Sequence, residues 1–518
     1  MSKSPLSLLL PGLCAGLVLS APASANDTVR SGGVLGTTVT YQLTGNPGVI
    51  YAFVPSLNAG PTPLFLLDPS SLAVMEVGLD LQALWKVSVL NGLGQATVIY
   101  PLPNSPALQG LALRSQWFEI PIVPSFVGDL SPLNVFTMGA PDTAVFTDGN
   151  QADEIYAHTA NSLDDGRVAL IGGSVEDSIG NDLFRDQIQT FDPQTETFTI
   201  AQAIMGAERA AHTSTKLPDG RVLIAGGANG GGGVEKLTEI WDPTSDSIQQ
   251  VSDLTEERTY HTATLLNDGR VLVVGGVGLY DFSDIVAGLN SARKSLEIYD
   301  PSTDIWSAGP DLPKGRVGHQ ASILPDGRVL ITGGLEVGSV FGIPTPELSS
   351  DCRIYDPTSN TLSAAAQFSD PRALHAQLVL PDGRVLLNGG FDGNLLLLSF
   401  NPLTSTRLYT PATNSWTNVG DMNVPRGIHG IVNRPGGGVA VIGGVSTLDL
   451  TEFKGSPEPS METSSGSFLS WTNVGSLNFP RDFTTATPYE GGTRVLLQGR
   501  GDNGIAGVAD LTAEIFHP

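Results

Sequence analysis

The sequence predicts an all-β protein: a closed ring of seven four-stranded antiparallel sheets, preceded by a small β-sandwich. Three observations carry this. The 518 residues include 61 Gly and 36 Pro but only 15% charged residues, a composition of short strands and tight turns rather than long helices. One pattern recurs seven times along the chain. Within each copy, apolar runs of strand length alternate with turn signals.

Six copies begin with His and reach a Gly-Gly pair 14 residues later: His158, His212, His261, His319, His375 and His429. A degenerate seventh copy starts at Thr484 and reaches Gly499-Arg500. Successive starts are 54, 49, 58, 56, 54 and 55 residues apart. The first strand runs from the His, as in residues 261–266, and Asp268-Gly269 supplies the positive φ angles of a tight hairpin. Asp165-Gly166, Asp219-Gly220, Asp326-Gly327 and Asp382-Gly383 repeat that turn, and Gly436-Gly437 replaces it once. The second strand, such as Val271–Val274, is too continuously apolar to have a face in water. Its closing Gly-Gly marks a place where backbones crowd. The third strand ends in an aromatic followed by Asp-Pro or Thr-Pro, at Phe191, Trp241, Tyr299, Tyr355 and Tyr409, where Pro stops the ladder. Seven residues on stand the fourth-strand anchors Phe198, Ile248, Trp306, Leu362 and Trp416. Trp471 anchors the sixth copy, whose third strand is hidden within residues 451–467.

The seventh copy ends at Glu514–Pro518 with only three strands, which would leave a bare edge. Counting 13 residues back from His158, as the Trp positions of units three, four and six require, lands on Val145. Residues 143–148 are therefore expected to supply the outer strand of the last sheet.

These marks resemble kelch repeats. The resemblance covers residues 143–518 and implies a seven-bladed kelch-type β-propeller, a fold that presents loops to partners. Residues 26–139 lack the repeat. Strand-like runs at 37–43, 49–54, 96–100 and 111–118, separated by turns such as Gly45-Asn46-Pro47-Gly48, predict a β-sandwich-like domain there.

Residues 1–25 read as a secretory signal peptide, with Lys3, an apolar core at 6–19 and Ala23-Ser24-Ala25 before the cleavage point. The mature protein is expected in the periplasm or outside the cell. No other run is long and apolar enough to span a membrane. After cleavage Cys352 is the only thiol, so no internal disulfide forms. The net charge of -25 repels phosphate backbones and anionic lipid, which argues against nucleic-acid binding.

Arg stands three residues before the start in six units: Arg209, Arg258, Arg316, Arg372, Arg426 and Arg481. On a propeller face they would form a cationic ring for carboxylate or sulfated sugars; alternatively, each ties neighbouring sheets together. The His column has the same two readings. Residues 258–271 further resemble the galactose-oxidase family, which maps Tyr260 and His261 onto copper ligands. Two other parts of that family's site, a Tyr-Cys cross-link and a later His-bearing domain, have no counterpart here. Insertions between second and third strands, at 278–292, 335–350, 391–406 and 445–466, carry Tyr280, Phe282, Phe341, Phe391 and Phe400 as apolar anchors. The leading expectation is a non-catalytic, cofactor-free binding protein for a protein or glycan. The alternative is a galactose-oxidase-like copper or other sugar-active extracellular enzyme. Asp148-Gly149-Asn150 with Asp153-Glu154 is a weaker, calcium-like motif read as a solvated acidic loop, and the integrin-type tripeptide Arg500-Gly501-Asp502 falls at a strand end where Gly is wanted anyway. Oligomeric state is not legible.

Overall fold

The computed structural model describes residues 27–32, 34–63, 74–77, 81, 84–120, 130–147, 149–151, 155–176, 182–279, 285–340, 343–394, 399–449, 454–501 and 512–518. The signal-peptide segment, Tyr280, Phe282, Phe341, Asp148 and Asp502 lie outside them. The described chain is almost entirely strand and turn. None of its helices is long and apolar enough to cross a membrane.

Two compact units emerge. One contains Thr40–Ile99 and Arg114–Asn134; the other contains Ser31–Val39, Tyr100–Leu113 and Val135–Pro518. The first is β-rich. Its strand Ile50–Ser56 lies between Lys86–Val89 and residues 114–120, both antiparallel. Tyr41 packs on Phe53 at 4.7 Å between ring centroids, and buried Trp117 donates its Nε1 proton to Thr28 Oγ1 at 2.9 Å.

The second unit holds the repeats. Among the described residues they build seven four-stranded antiparallel sheets, six of them meanders in chain order and the seventh completed by the strand Thr143–Phe146. Unit three is typical: Thr262–Leu265, Val271–Val274, Leu296–Asp300 and Ile305–Ala308. The third-strand aromatic lies directly opposite both a second-strand Val and the fourth-strand anchor, as Tyr299 does with Val271 and Trp306. The Tyr299–Trp306 and Tyr409–Trp416 rings are each 5.0 Å apart. In unit six the hidden third strand is Ser460–Ser464, with Ser464 where the other units carry an aromatic.

The continuous apolar second strand has a simple cause. Alternate residues point into opposite faces of the sheet, and both faces are covered by neighbouring sheets. Val271 and Val273 join the core shared with unit two, whereas Leu272 and Val274 join the core shared with unit four. Such a core fills the gap between every successive pair of sheets. Val145, Val168, Leu170, Tyr489 and Ile515 form the one between the seventh and the first. The strand Thr143–Phe146 pairs antiparallel with Glu514–His517, Ala144 opposite Phe516. This seam also buries the Arg494–Glu196 ion pair at 2.6 Å, with Glu196 accepting a further 2.7 Å bond from the Thr137 amide.

The Asp-Gly turns differ in one detail from expectation. Only the Gly is left-handed, for example Gly269 at φ 87°. The Asp268 carboxylate instead accepts the Arg270 amide and guanidinium protons. Leu266 and Arg270 close a three-residue loop with a Gly bulge.

Past the Gly-Gly pair, several units add a second tier. Leu335–Val340 pairs with Ile343–Leu348, Phe391–Asn394 with Ser399–Pro402, and Val445–Asp449 with Lys454–Pro457. Unit three carries the short helix Ile285–Asn290 instead. These insertions touch one another in succession from unit three to unit six, forming a continuous wall on one face.

Candidate functional site

The cationic ring does not face a ligand. Arg209, Arg258, Arg316, Arg372, Arg426 and Arg481 are all 0% exposed. Each guanidinium meets a carboxylate: Arg209 with Glu239 at 2.6 Å, Arg258 with Glu297, and Arg316 with Glu336 at 2.5 Å and Asp351 at 2.7 Å. Arg372 pairs with Asp370, Arg426 with Glu462 at 3.1 Å, and Arg481 with Glu514 at 3.4 Å. Burial pulls the Arg372 guanidinium down to about 10, against the opposing pull of Asp370.

The same Arg residues bridge adjacent sheets. Arg426 Nη1 donates to the Gly443 carbonyl of its own unit at 2.8 Å. Its backbone carbonyl accepts the Gly390 amide of the preceding unit at 2.9 Å. Gly173, Gly227, Gly276 and Gly334 donate in the same way to Arg209, Arg258, Arg316 and Arg372. A guanidinium with no exposed surface, already paired with a carboxylate, is out of reach of a sugar carboxylate. The ligand-ring expectation is thus corrected: these Arg residues join the sheets.

The His column completes that joint. His212 Nε2 meets Thr159 Oγ1 of the preceding unit at 3.0 Å, His261 meets Thr213 at 2.8 Å, and His319 meets Thr262 at 3.0 Å. Units four and five lack Thr at this position, so His375 reaches Thr332 and His429 reaches Asn388 instead. The Gly-Gly pair is clamped between two of these rings. A Cβ on Gly226 would stand 2.8 Å from His261 Cε1 of the next unit, and one on Gly227 2.8 Å from His212 Cβ of its own. Burial drives the His158 pKa down to about 4 and those of His261, His319 and His429 to about 3, and it pushes His212 and His375 well below the usual value.

Tyr260 and His261 do not form a copper pair. The His261 ring is buried against Thr213, as each of the other five His rings of the column is against a polar side chain of the neighbouring unit. Tyr260 turns away at a left-handed φ of 53° onto an apolar cluster with Val277, Leu289 and Leu374. Cys352 is buried in a different cluster, beside Tyr409 and Trp416, its thiol pushed up to about 12 by burial. Among the described residues no three His, Cys, Asp or Glu side chains gather as a metal site. The residues present therefore do not fit a galactose-oxidase-type copper centre.

What the face does present is a collar that was missed in the sequence. The residue before each start is left-handed in all seven units: Ala157, Ala211, Tyr260, Gly318, Leu374, Ile428 and Phe483, with φ between 48° and 65°. Each precedes an innermost strand and is half-buried, so together they ring the mouth of the central channel. Amide-to-carbonyl bonds run between neighbours, from Ala211 to Ala157 at 2.9 Å, Tyr260 to Ala211 at 3.0 Å, Leu374 to Gly318 at 2.8 Å and Ile428 to Leu374 at 3.0 Å. The column was visible: every member is apolar or Gly. Of the proposed insertion anchors, Phe391 is fully buried under this wall and Phe400 is half-buried against it. Beside the wall, a groove of about 310 Å³ is lined by Lys314, Glu336, Glu347, Asp351 and Arg353, which pair among themselves.

Comparison with known proteins agrees with this architecture. The Kelch motif family matches residues 258–313. Kelch-like protein 36 from Bos taurus is 26% identical over 258 residues, 49% of this chain and 38% of its own length. A galactose oxidase from Gibberella zeae is 35% identical over 77 residues, 15% of this chain and 10% of that protein. The chain thus spans well under half the length of these curated relatives. Among solved structures, a fungal alcohol oxidase of the AA5 family in complex with copper superposes with a TM-score of 0.55 at 15% identity, covering 71% of this chain and 75% of the other. The family match in unit three, the same marks in the other units and the shared fold make this chain a kelch-repeat β-propeller.

Proposed function

We infer that the chain is an exported, non-catalytic binding protein that takes a protein or carbohydrate partner on the face carrying the insertions. One observation supports this above others: the paired hairpins at 335–348, 391–402 and 445–457 stand side by side as a wall around the mouth. Loops held on a rigid scaffold are where recognition residues concentrate. The polar groups that catalysis would use, the Arg and His columns, are spent on joining sheets. The oxidase alternative rests on likeness of fold and is disfavoured by the divergence of Tyr260 from His261.

The test screens the full chain against a glycan array and a protein pull-down, then maps the ligand by hydrogen exchange. Protection is expected at 335–348, 391–402 and 445–457. Protection at the opposite Asp-Gly-Arg turns (165–167, 219–221 and 268–270) would contradict the reading. So would stoichiometric copper with oxidation of sugars or alcohols.

A further inference from the structure

Resting on that binding reading, we propose that the mouth of the ring accepts an apolar side chain from a cationic segment of a partner protein. The collar is lopsided. Tyr260, Leu374, Ile428 and Phe483 are large and apolar, and all are half-exposed. Left-handed backbone suits Gly, Asn or Asp and suits a β-branched residue least, yet Ile428 stands at φ 50°. Gly318 occupies the same position in unit four, so ring geometry does not dictate these side chains. They offer a ligand largely apolar surface.

Charge selects the partner. Glu208 is exposed, and Glu235, Asp392 and Glu458 are half-exposed on the tier beyond the Gly-Gly pairs. None of them pairs with a cation within 4 Å among the described residues, although Glu235 accepts from Asn229 Nδ2, Asp392 from Asn401 Nδ2 and Glu458 from the Ser460 amide. Most cations of that tier are taken, Arg293 by Glu257, Arg407 by Asp370 and Arg500 by Asp482, while the exposed Lys236 beside Glu235 offsets only one of the four carboxylates. On a chain of net charge -25, this field attracts Lys and Arg and repels anions. The matching occupant is a peptide with an aromatic or aliphatic side chain flanked by basic residues, rather than an acidic or neutral glycan.

The test pans the full chain against a phage-displayed library of peptides about twelve residues long. Enrichment of an apolar residue flanked by Lys or Arg is expected. A synthetic peptide of that motif should bind about ten-fold more weakly to the double variant Leu374→Gly, Ile428→Gly. That variant relieves the left-handed strain but removes packing on the Phe391, Val445 and Leu448 cluster, so its melting temperature is measured before binding is read. If it fails to fold, the exposed Glu208→Lys carries the test and should weaken the same peptide several-fold, an effect that salt erases. Enrichment of acidic peptides, no enrichment, or undiminished binding by the variants would overturn the proposal. A glycan ligand footprinted on the insertion wall would do so while leaving the binding reading intact. A footprint on the Asp-Gly-Arg turns would remove both.

Discussion

Arg426→Met is expected to destabilise the folded chain by about 3–5 kcal/mol, because it leaves the buried Glu462 carboxylate unpaired. At roughly 2–4 °C per kcal/mol, the melting temperature should drop by about ten degrees. Arg426 also loses its bonds to the Gly443 and Ser460 carbonyls, which lie 2.8 and 2.7 Å away. The double variant Arg426→Met, Glu462→Leu should recover only part of the loss: it removes both desolvated charges but leaves the Asn423 and Val424 amides without their carboxylate acceptor. A ligand-binding Arg behaves differently: its removal leaves the melt unchanged and weakens only binding. Thermal melts of the two single variants and the double variant therefore separate a joint from a binding group.

Acidification should unfold the chain well above the pH at which carboxylates protonate. The six His residues of the column have folded pKa values displaced downward by burial, to about 4 for His158 and about 3 for His261, His319 and His429. His212 and His375 are displaced in the same direction. The unfolded chain takes up protons first, near the ordinary value of about 6.5. Stability is therefore complete above that value and is lost as pH falls toward the folded values. Each imidazole removes about 1.4 kcal/mol per pH unit in that window. Six acting together should give a steep acid transition near pH 5, with uptake of several protons. Urea titrations at a series of pH values give the slope, and His261→Gln should lower it by one proton. A stability that stays flat between pH 7 and pH 4 would show that these rings are charged or solvated in the folded chain.

The repeat and its strand order were readable because they rest on local chemistry: a Gly at each turn, a Pro after the third strand in every unit but the sixth, and an apolar second strand. Unit six was harder because Ser464 replaces the aromatic that marks the third strand elsewhere. The Arg column was visible, but its burial was not. The acidic partners lie as far away as Glu297 from Arg258 or Glu462 from Arg426, and only the folded sheet brings them together. The Gly-Gly pair was read as backbone crowding, and carbonyls such as that of Arg258 beside Gly226 do press on it; the His rings from two different units that press alongside them were not foreseen. Tyr260-His261 shows the limit of motif transfer. Adjacent residues suggested one metal site, but a left-handed backbone at Tyr260 sends the two side chains into different environments. The collar escaped because its common property is a φ angle, which apolar residues do not announce.

The central claim is that the sheets form a ring held by joints between neighbours, with the stretch before the first repeat sharing a sheet with the last. Ala144 lies directly opposite Phe516 in that sheet. The most direct test introduces Ala144→Cys and Phe516→Cys into a Cys14→Ser, Cys352→Ala background and oxidises the folded protein. The account predicts near-complete intramolecular cross-linking, seen by mass spectrometry as a disulfide joining the two peptides, together with a raised melting temperature. Two thiols that stay free and reactive, or that link only between molecules, would contradict it.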